Sequence, residues 1–177
     1  MAWELKFMQW GNGWWRTSVL DQLIPWLTHL GSLGAVILFI LLAWILTRKR
    51  NVLYTLLCLY GVQFVVVYGL KFLIRRPRPP AFPEGTPGLF SGPGEILDPS
   101  FPSAHTLYAF MIATVLSTRF PRYRVVFFVA AGFIGWTRIY LGLHYPTDVL
   151  AGALLGYGVT ELFLHWVRFH SARGLNS

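Results

Sequence analysis

The sequence predicts an all-α fold, an integral membrane bundle of about five transmembrane helices preceded by an N-terminal interfacial helix, on three observations. Of the 177 residues, 55% are hydrophobic and 12% are charged, against about 25% charged in ordinary soluble domains. The apolar residues arrive in runs that approach or reach the roughly 20 residues with which a helix crosses a hydrocarbon core. The basic residues sit in short clusters between those runs rather than along one polar face, so the formal net charge of +8 does not describe a nucleic-acid-binding surface. The chain is read as a single membrane-embedded domain, 1–177.

Residues 1–28 carry Trp3, Trp10, Trp14, Trp15 and Trp26 among scattered polar groups, a mixture suited to the membrane interface. They lack the ordered basic region, compact apolar stretch and small-residue cleavage site of a signal peptide, so the first span is expected to act as an uncleaved anchor. That span runs from Leu30 to Thr47, or from near Leu23, and the second from Val52 to Leu73. The third, Ser103 to Thr118, is short and only moderately apolar, which suits a helix packed inside a bundle. The fourth is Val125 to Leu143. The fifth, Val149 to Val167, holds small residues at Ala151, Gly152, Ala153, Gly156 and Gly158 that let a neighbouring helix approach closely. Cys58, the single cysteine, lies inside a span and offers neither an intrachain disulfide nor a cysteine metal cluster. The Pro- and Gly-rich stretch from Pro77 to Pro102 reads as an irregular, solvent-facing lid or substrate rim.

Orientation follows from the bias of short cytoplasmic loops toward Lys and Arg. Five spans place Arg48, Lys49, Arg50, Arg119, Arg122, Arg124, Arg168 and Arg173 on one side, the expected cytoplasmic side. Lys71, Arg75, Arg76, Arg78 and Arg138 then fall on the outer face, against the bias, and require another explanation.

Three outer-face stretches supply one. In Lys71-Phe-Leu-Ile-Arg-Arg-Pro-Arg78-Pro79 a membrane helix runs into a cluster of cations, which repel one another unless an anion sits among them; basic side chains at a helix end also snorkel. In Phe101-Pro102-Ser103-Ala104-His105-Thr106 a loop enters the third span, leaving outward-pointing backbone N–H groups and a favourable dipole for phosphate, although a histidine there also serves as a simple boundary residue. In Thr137-Arg138 through His144-Tyr-Pro146-Thr-Asp148, Pro146 suits a first helical turn, and Asp148 stands one turn from His144. A carboxylate so placed accepts the proton on one imidazole nitrogen and makes the other a better nucleophile. The pair could equally cap the helix, and a metal site would need a third ligand that this spacing does not supply.

Together these stretches resemble the tripartite signature of the type 2 phosphatidic acid phosphatase superfamily, which includes bacterial lipid phosphatases, glucose-6-phosphatase and the vanadium haloperoxidases. The family pattern K-x6-R-P is met at Lys71 to Pro79; P-S-G-H at Pro102 to His105, with Ala104 for Gly; and S-R-x5-H-x3-D at Thr137 to Asp148, with Thr137 for Ser. The resemblance implies a metal-independent, cofactor-free phosphatase with His144 as nucleophile, Asp148 as its orienter and His105 as acid and base. Lys71, Arg78, Ser103, Ala104 and Arg138 would bind the phosphate.

The implied substrate is a lipid phosphate: undecaprenyl diphosphate, phosphatidylglycerol phosphate or phosphatidic acid, with the 1-phosphate of lipid A as the alternative. The expected setting is a bacterial inner membrane with the site facing the periplasm, and the expected partners are substrate and membrane lipids, not nucleic acid. A vanadium haloperoxidase is disfavoured by five apolar spans, and a small transporter by charges gathered at one face instead of the midplane. His29, Gln63 and Glu161 are read as interhelical hydrogen-bonding groups, His165 and His170 as solvated or interfacial, and Tyr140 and Tyr145 as flanking the site.

Overall fold

The computed structural model describes residues 2–80 and 98–174, and among these it contains helices and no strand. Most of the expected lid between Pro77 and Pro102, residues 81–97, lies outside the described residues. The N-terminal segment forms two helices where one was expected, α1 (Ala2–Trp15) and α2 (Ser18–Leu27). The break falls at Thr17, whose extended backbone and hydroxyl, accepting from Leu20 N at 3.2 Å, start α2 afresh.

A 3-10 turn, Thr28–Gly31, follows, and Ser32 caps α3 (Leu33–Thr47). The first span is therefore broken: Ser18–Gly31 and Leu33–Thr47 meet at a 53° bend. Helix α4 (Arg50–Ile74) closes with Arg75 in the left-handed region (φ 48°), ahead of Pro77, which cannot continue a helix. Helix α5 (Ala104–Arg119) starts behind Pro102, with Ser103 as N-cap. Helix α6 (Arg124–Tyr140) ends three residues before the expected Leu143, because the chain turns at Gly142 (φ 68°). Helix α7 (Pro146–Gly174) extends past both expected ends.

By length and composition, two helices reach the membrane-crossing standard, Arg50–Ile74 and Pro146–His170, or three with the bent pair. Helices α5 and α6, at 16 and 17 residues, fall short of it. For α5 packing explains the shortness, whereas α6 exposes Val125, Val126 and Val129. Helix α5 is the centre of the bundle, burying Leu107, Tyr108, Met111, Thr114 and Ser117 among its neighbours. The small residues of α7 permit this: a methyl group on Gly152 would sit 2.6 Å from the Ser103 carbonyl oxygen, and one on Gly156 would collide with that of Leu107. Gly158, by contrast, meets nothing within 4 Å.

The molecule is apolar outside and polar at several points within. Leu46, Val65 and Val125 are 82%, 69% and 73% exposed, whereas Gln63, Thr106, Thr137 and Thr160 are fully buried. Gln63 donates to Gly156 O (3.2 Å) and Thr160 Oγ1 (3.0 Å), tying α4 to α7, as an internal polar group in an apolar medium requires. Glu161, among the described residues, pairs instead within its own helix, 4.0 Å from Arg168.

Candidate active site

The last turn of α4 and the loop behind it, the first turn of α5, and the turn from α6 into α7 bring the sequence-predicted residues to one end of the bundle. The covalent spacing of Lys71 and Arg78 lets both reach one carboxylate, that of Asp98. Lys71 Nζ lies 2.8 Å from Asp98 Oδ1, and Arg78 NH2 donates to Oδ2 at 2.5 Å. Lys71 also donates to Pro99 O, and Arg78 to Asp98 O (3.0 Å) and Leu143 O (3.5 Å). The cluster thus holds an anion of its own, which explains how its cations coexist. Burial works to raise the Asp98 pKa, but the hydrogen bond and charge of Lys71, joined by Arg78, hold it below the usual carboxylate range.

His144 lies on the turn between α6 and α7, 2% exposed, its backbone N–H directed at Arg138 O. Its Nδ1 is 3.7 Å from Asp148 Oδ2, longer than a direct hydrogen bond, and 3.4 Å from Ser100 Oγ, which itself donates to that carboxylate oxygen at 2.5 Å. The expected His–Asp pair is therefore present with a serine hydroxyl set against both. Burial lowers the His144 pKa to about 4; Asp148 opposes the shift, and the charges of Arg138, Arg78 and Lys71 add to it. With its pKa lowered in this way the imidazole is neutral at pH 7 and keeps one unprotonated ring nitrogen.

Asp148 is fully buried and heavily bonded. It accepts from Arg76 NH1 (2.5 Å), Ser100 Oγ and the Tyr145 N–H (2.9 Å). Its backbone carbonyl receives the Ser103 N–H at 3.1 Å, joining the start of α7 to the start of α5. Ser103 is buried, and its hydroxyl accepts from Thr106 Oγ1 at 3.0 Å. Ala104 and His105 follow in the first helical turn, where N–H groups have no intrahelical partners. The charged and titratable groups that His105 meets include Arg138, His144 and Arg78, with His29 beside it on the 3-10 turn.

Arg138, on the last turn of α6, is 6% exposed. Its NH1 donates to Thr28 Oγ1 at 2.8 Å, and its buried Nε has no hydrogen-bond partner among the described residues. The Thr137 hydroxyl lies 2.6 Å from Ile134 O and 2.9 Å from Thr28 Oγ1, so the added methyl leaves that hydroxyl supporting Thr28. Tyr140 does not line the cluster: it is buried and spends its hydroxyl on Asp21 Oδ1 at 2.7 Å. The Tyr145 ring supports Arg76, whose guanidinium carbon lies 4.1 Å from the ring centroid.

Nothing in the sequence patterning pointed to Ser100, Thr28, Asp98 or Glu4, and Arg76 stood out only within a basic run. Ser100 and Asp98 could have been suspected from their place just ahead of the Pro102-Ser103 helix start. Glu4 could have been suspected as a carboxylate among interfacial tryptophans, where it needs a partner. Among the described residues, no three His, Cys, Asp or Glu side chains gather where they could hold a metal ion.

Comparison with known proteins extends these observations. A lipid A 1-phosphatase of Rhizobium etli is 45% identical over 92 residues, 49% of this chain and 38% of that protein; the chain spans little more than a third of this relative's length. The putative undecaprenyl-diphosphatase YbjG of Escherichia coli is 30% identical over 144 residues, covering 80% of this chain and 69% of that protein. The crystal structure of Aquifex aeolicus LpxE matches with a TM-score of 0.74 at 32% identity, over 91% of this chain and 94% of that one. Residues 51–172 match the sequence model of the PAP2 superfamily. With its long apolar helices and a family signature gathered at one end of the bundle, the chain is an integral membrane protein that belongs to the PAP2 superfamily.

Proposed function

We propose that the protein is a membrane phosphatase that removes the terminal phosphate of a lipid phosphate or diphosphate through a phosphohistidine formed on His144. The observation that supports this most directly is the seat of His144. Its Nδ1 faces Asp148 and Ser100, and Lys71, Arg78 and Arg138 lie within electrostatic reach of the ring. Those three cations suit the phosphoryl oxygens and would neutralise charge as it moves in transfer. Arg138 brings a buried Nε donor that has no partner among the described residues, and Ser103 with the N–H near Ala104 completes the cradle.

His144 Nε2 attacks phosphorus, the bond from phosphorus to the lipid oxygen breaks, and His105 gives that oxygen its proton. His105 then takes a proton from water, whose oxygen attacks phosphorus, breaks the P–N bond and frees inorganic phosphate. Asp148 stabilises the positive charge that the His144 ring acquires.

The bent α2–α3 unit and α4 to α7 are read as five spans, with α5 short because it is sheltered. The basic loops at Arg48–Arg50 and Arg119–Arg124 face the cytoplasm, and the site faces outward, so that a substrate keeps its tail in lipid while its headgroup enters the cluster. Isoprenoid and glycerolipid phosphates of a bacterial inner membrane are the leading substrates. The lipid A 1-phosphate reading gains from the 45% identity to the Rhizobium etli protein over 92 residues. Purified protein in detergent, given a panel of these lipids in excess EDTA, should release phosphate. Loss of release in chelator, restored by a divalent ion, would overturn the mechanism; the relative kcat/KM values decide between the substrates.

A further inference from the structure

Helix α1 is two-sided. Trp3, Trp10 and Trp14 are 59%, 62% and 77% exposed, whereas Glu4 and Met8 are 2% and 1% exposed. A buried carboxylate on an otherwise interfacial helix is costly unless paired, and the pairing here leads toward His144. Glu4 Oε2 accepts from Arg76 NH2 at 2.6 Å, while Glu4 Oε1 accepts from the Thr147 hydroxyl at 2.6 Å and the Thr147 N–H at 3.3 Å. The other end of the same guanidinium, NH1, donates to Asp148 Oδ1 at 2.5 Å.

We propose that Glu4 and Arg76 are positioning residues for the nucleophile, a pair through which α1 sets the charge that Asp148 presents to His144. The proposal rests on the phosphatase reading above. With both charges in place, Arg76 is shared between two carboxylates, and Asp148 keeps much of its negative charge for the His144 ring. Without the Glu4 charge, Arg76 belongs to Asp148 alone and cancels it. Without Arg76, Asp148 acts on His144 at full strength.

His144 is faced by Asp148 from α7, Arg138 from α6, His105 from α5, Lys71 from α4, and Arg78 and Asp98 from the adjoining loops. None of these residues is itself substituted in the Glu4 and Arg76 variants, and of them Arg76 bonds Asp148. A change in the pH dependence of the variants therefore reports the pair itself. Glutamine at position 4 keeps an acceptor oxygen for Thr147 while removing the charge and the bond from Arg76, which separates the pairing with Arg76 from a simple anchor for α1 at Thr147.

The experiment measures kcat and KM for a lipid phosphate across the acidic range, using the full chain and expressing each variant as a ratio to wild type so that substrate ionisation cancels. Glu4→Gln should move the acidic limb of kcat/KM to lower pH and lower the plateau of kcat. Arg76→Gln should move the limb to higher pH, each by on the order of one pH unit. The double variant, which removes one charge of each sign, should return the limb to within a few tenths of wild type. KM should change less than kcat, since neither residue belongs to the phosphate clamp. Uniform losses without limb shifts, or shifts in the same direction for both single variants, would overturn the proposal. Should Glu4→Gln fail to fold, Arg76→Gln still decides, because a limb that stays at the wild-type pH in that variant, or moves to lower pH, refutes the pairing. A wild type inert toward every lipid phosphate, or an active His144→Ala, would instead sink the phosphatase reading.

Discussion

Asp98→Asn tests the clamp most directly, because its carboxylate bridges two residues proposed to receive phosphate. It lies 2.8 Å from Lys71 Nζ and 2.5 Å from Arg78 NH2, so an incoming phosphate must compete with it. The Asp98 side chain is 49% exposed, and solvent screening reduces each ion pair to about 0.5–1 kcal/mol. Two pairs therefore hold the cations by about 1–2 kcal/mol, and removing the charge should tighten a competing anion roughly 5- to 30-fold. The assay is inhibition of lipid phosphate hydrolysis by inorganic phosphate and by orthovanadate at fixed ionic strength, comparing Ki between wild type and Asp98→Asn. The sign with pH is also set. The Asp98 pKa is depressed in the fold, so its ion pairs are fully present above the ordinary carboxylate range and disappear as pH falls through the lower folded value. Wild type and variant should thus differ at neutral pH and converge only in strong acid. An unchanged or weaker inhibition in Asp98→Asn would show that the carboxylate supports the clamp instead of competing for it.

The two histidines should fail differently. His144→Ala should abolish turnover of every substrate, whereas His105→Ala should lose far more kcat/KM on an alkyl lipid phosphate than on p-nitrophenyl phosphate, whose phenolate leaves without a proton; phosphoenzyme trapping on His105 would reverse the roles. Because His144 is pushed down to about 4 by burial, the acidic limb of kcat/KM, corrected for substrate ionisation, should fall near pH 4 rather than 6.5. The unfolded chain takes up that proton first, so the fold should also lose stability as pH drops from about 6.5 toward 4, measured as Tm. Gly152→Ala, whose methyl would sit 2.6 Å from Ser103 O, should cost about 1–3 kcal/mol by thermal unfolding and lower activity by moving the start of α5. Single cysteines at the exposed positions Pro80 and Arg122, in a Cys58→Ala background, should differ in labelling of intact cells by an impermeant thiol reagent; preferential labelling at Arg122 would invert the topology.

What the sequence determined by itself lies where chemistry depends on covalent spacing. Lys71 and Arg78 are a few residues apart across a helix end, and His144 and Asp148 stand one turn apart behind Pro146, so the chain alone brings them near each other. Runs of apolar residues likewise located α3 to α6 within a few residues and the body of α7, whose C-terminal end runs seven residues past the expected Val167, since apolar length sets which segments can leave water. The tertiary structure decided what surrounds those groups. Glu4 meets Thr147 across 143 positions, Arg76 meets Asp148 across 72, and Thr28 meets Arg138 across 110, separations that no local pattern encodes. The His144–Asp148 spacing gave no hint of the Ser100 hydroxyl set against both, nor the cation run of Asp98 as its internal anion. The shortness of α5 also follows from packing: the small residues of α7 let α5 sink to the centre, where helix length answers to neighbouring helices. Side-chain type fixes which reaction a group can perform, but its partners, and through them its charge, are chosen only when distant helices pack.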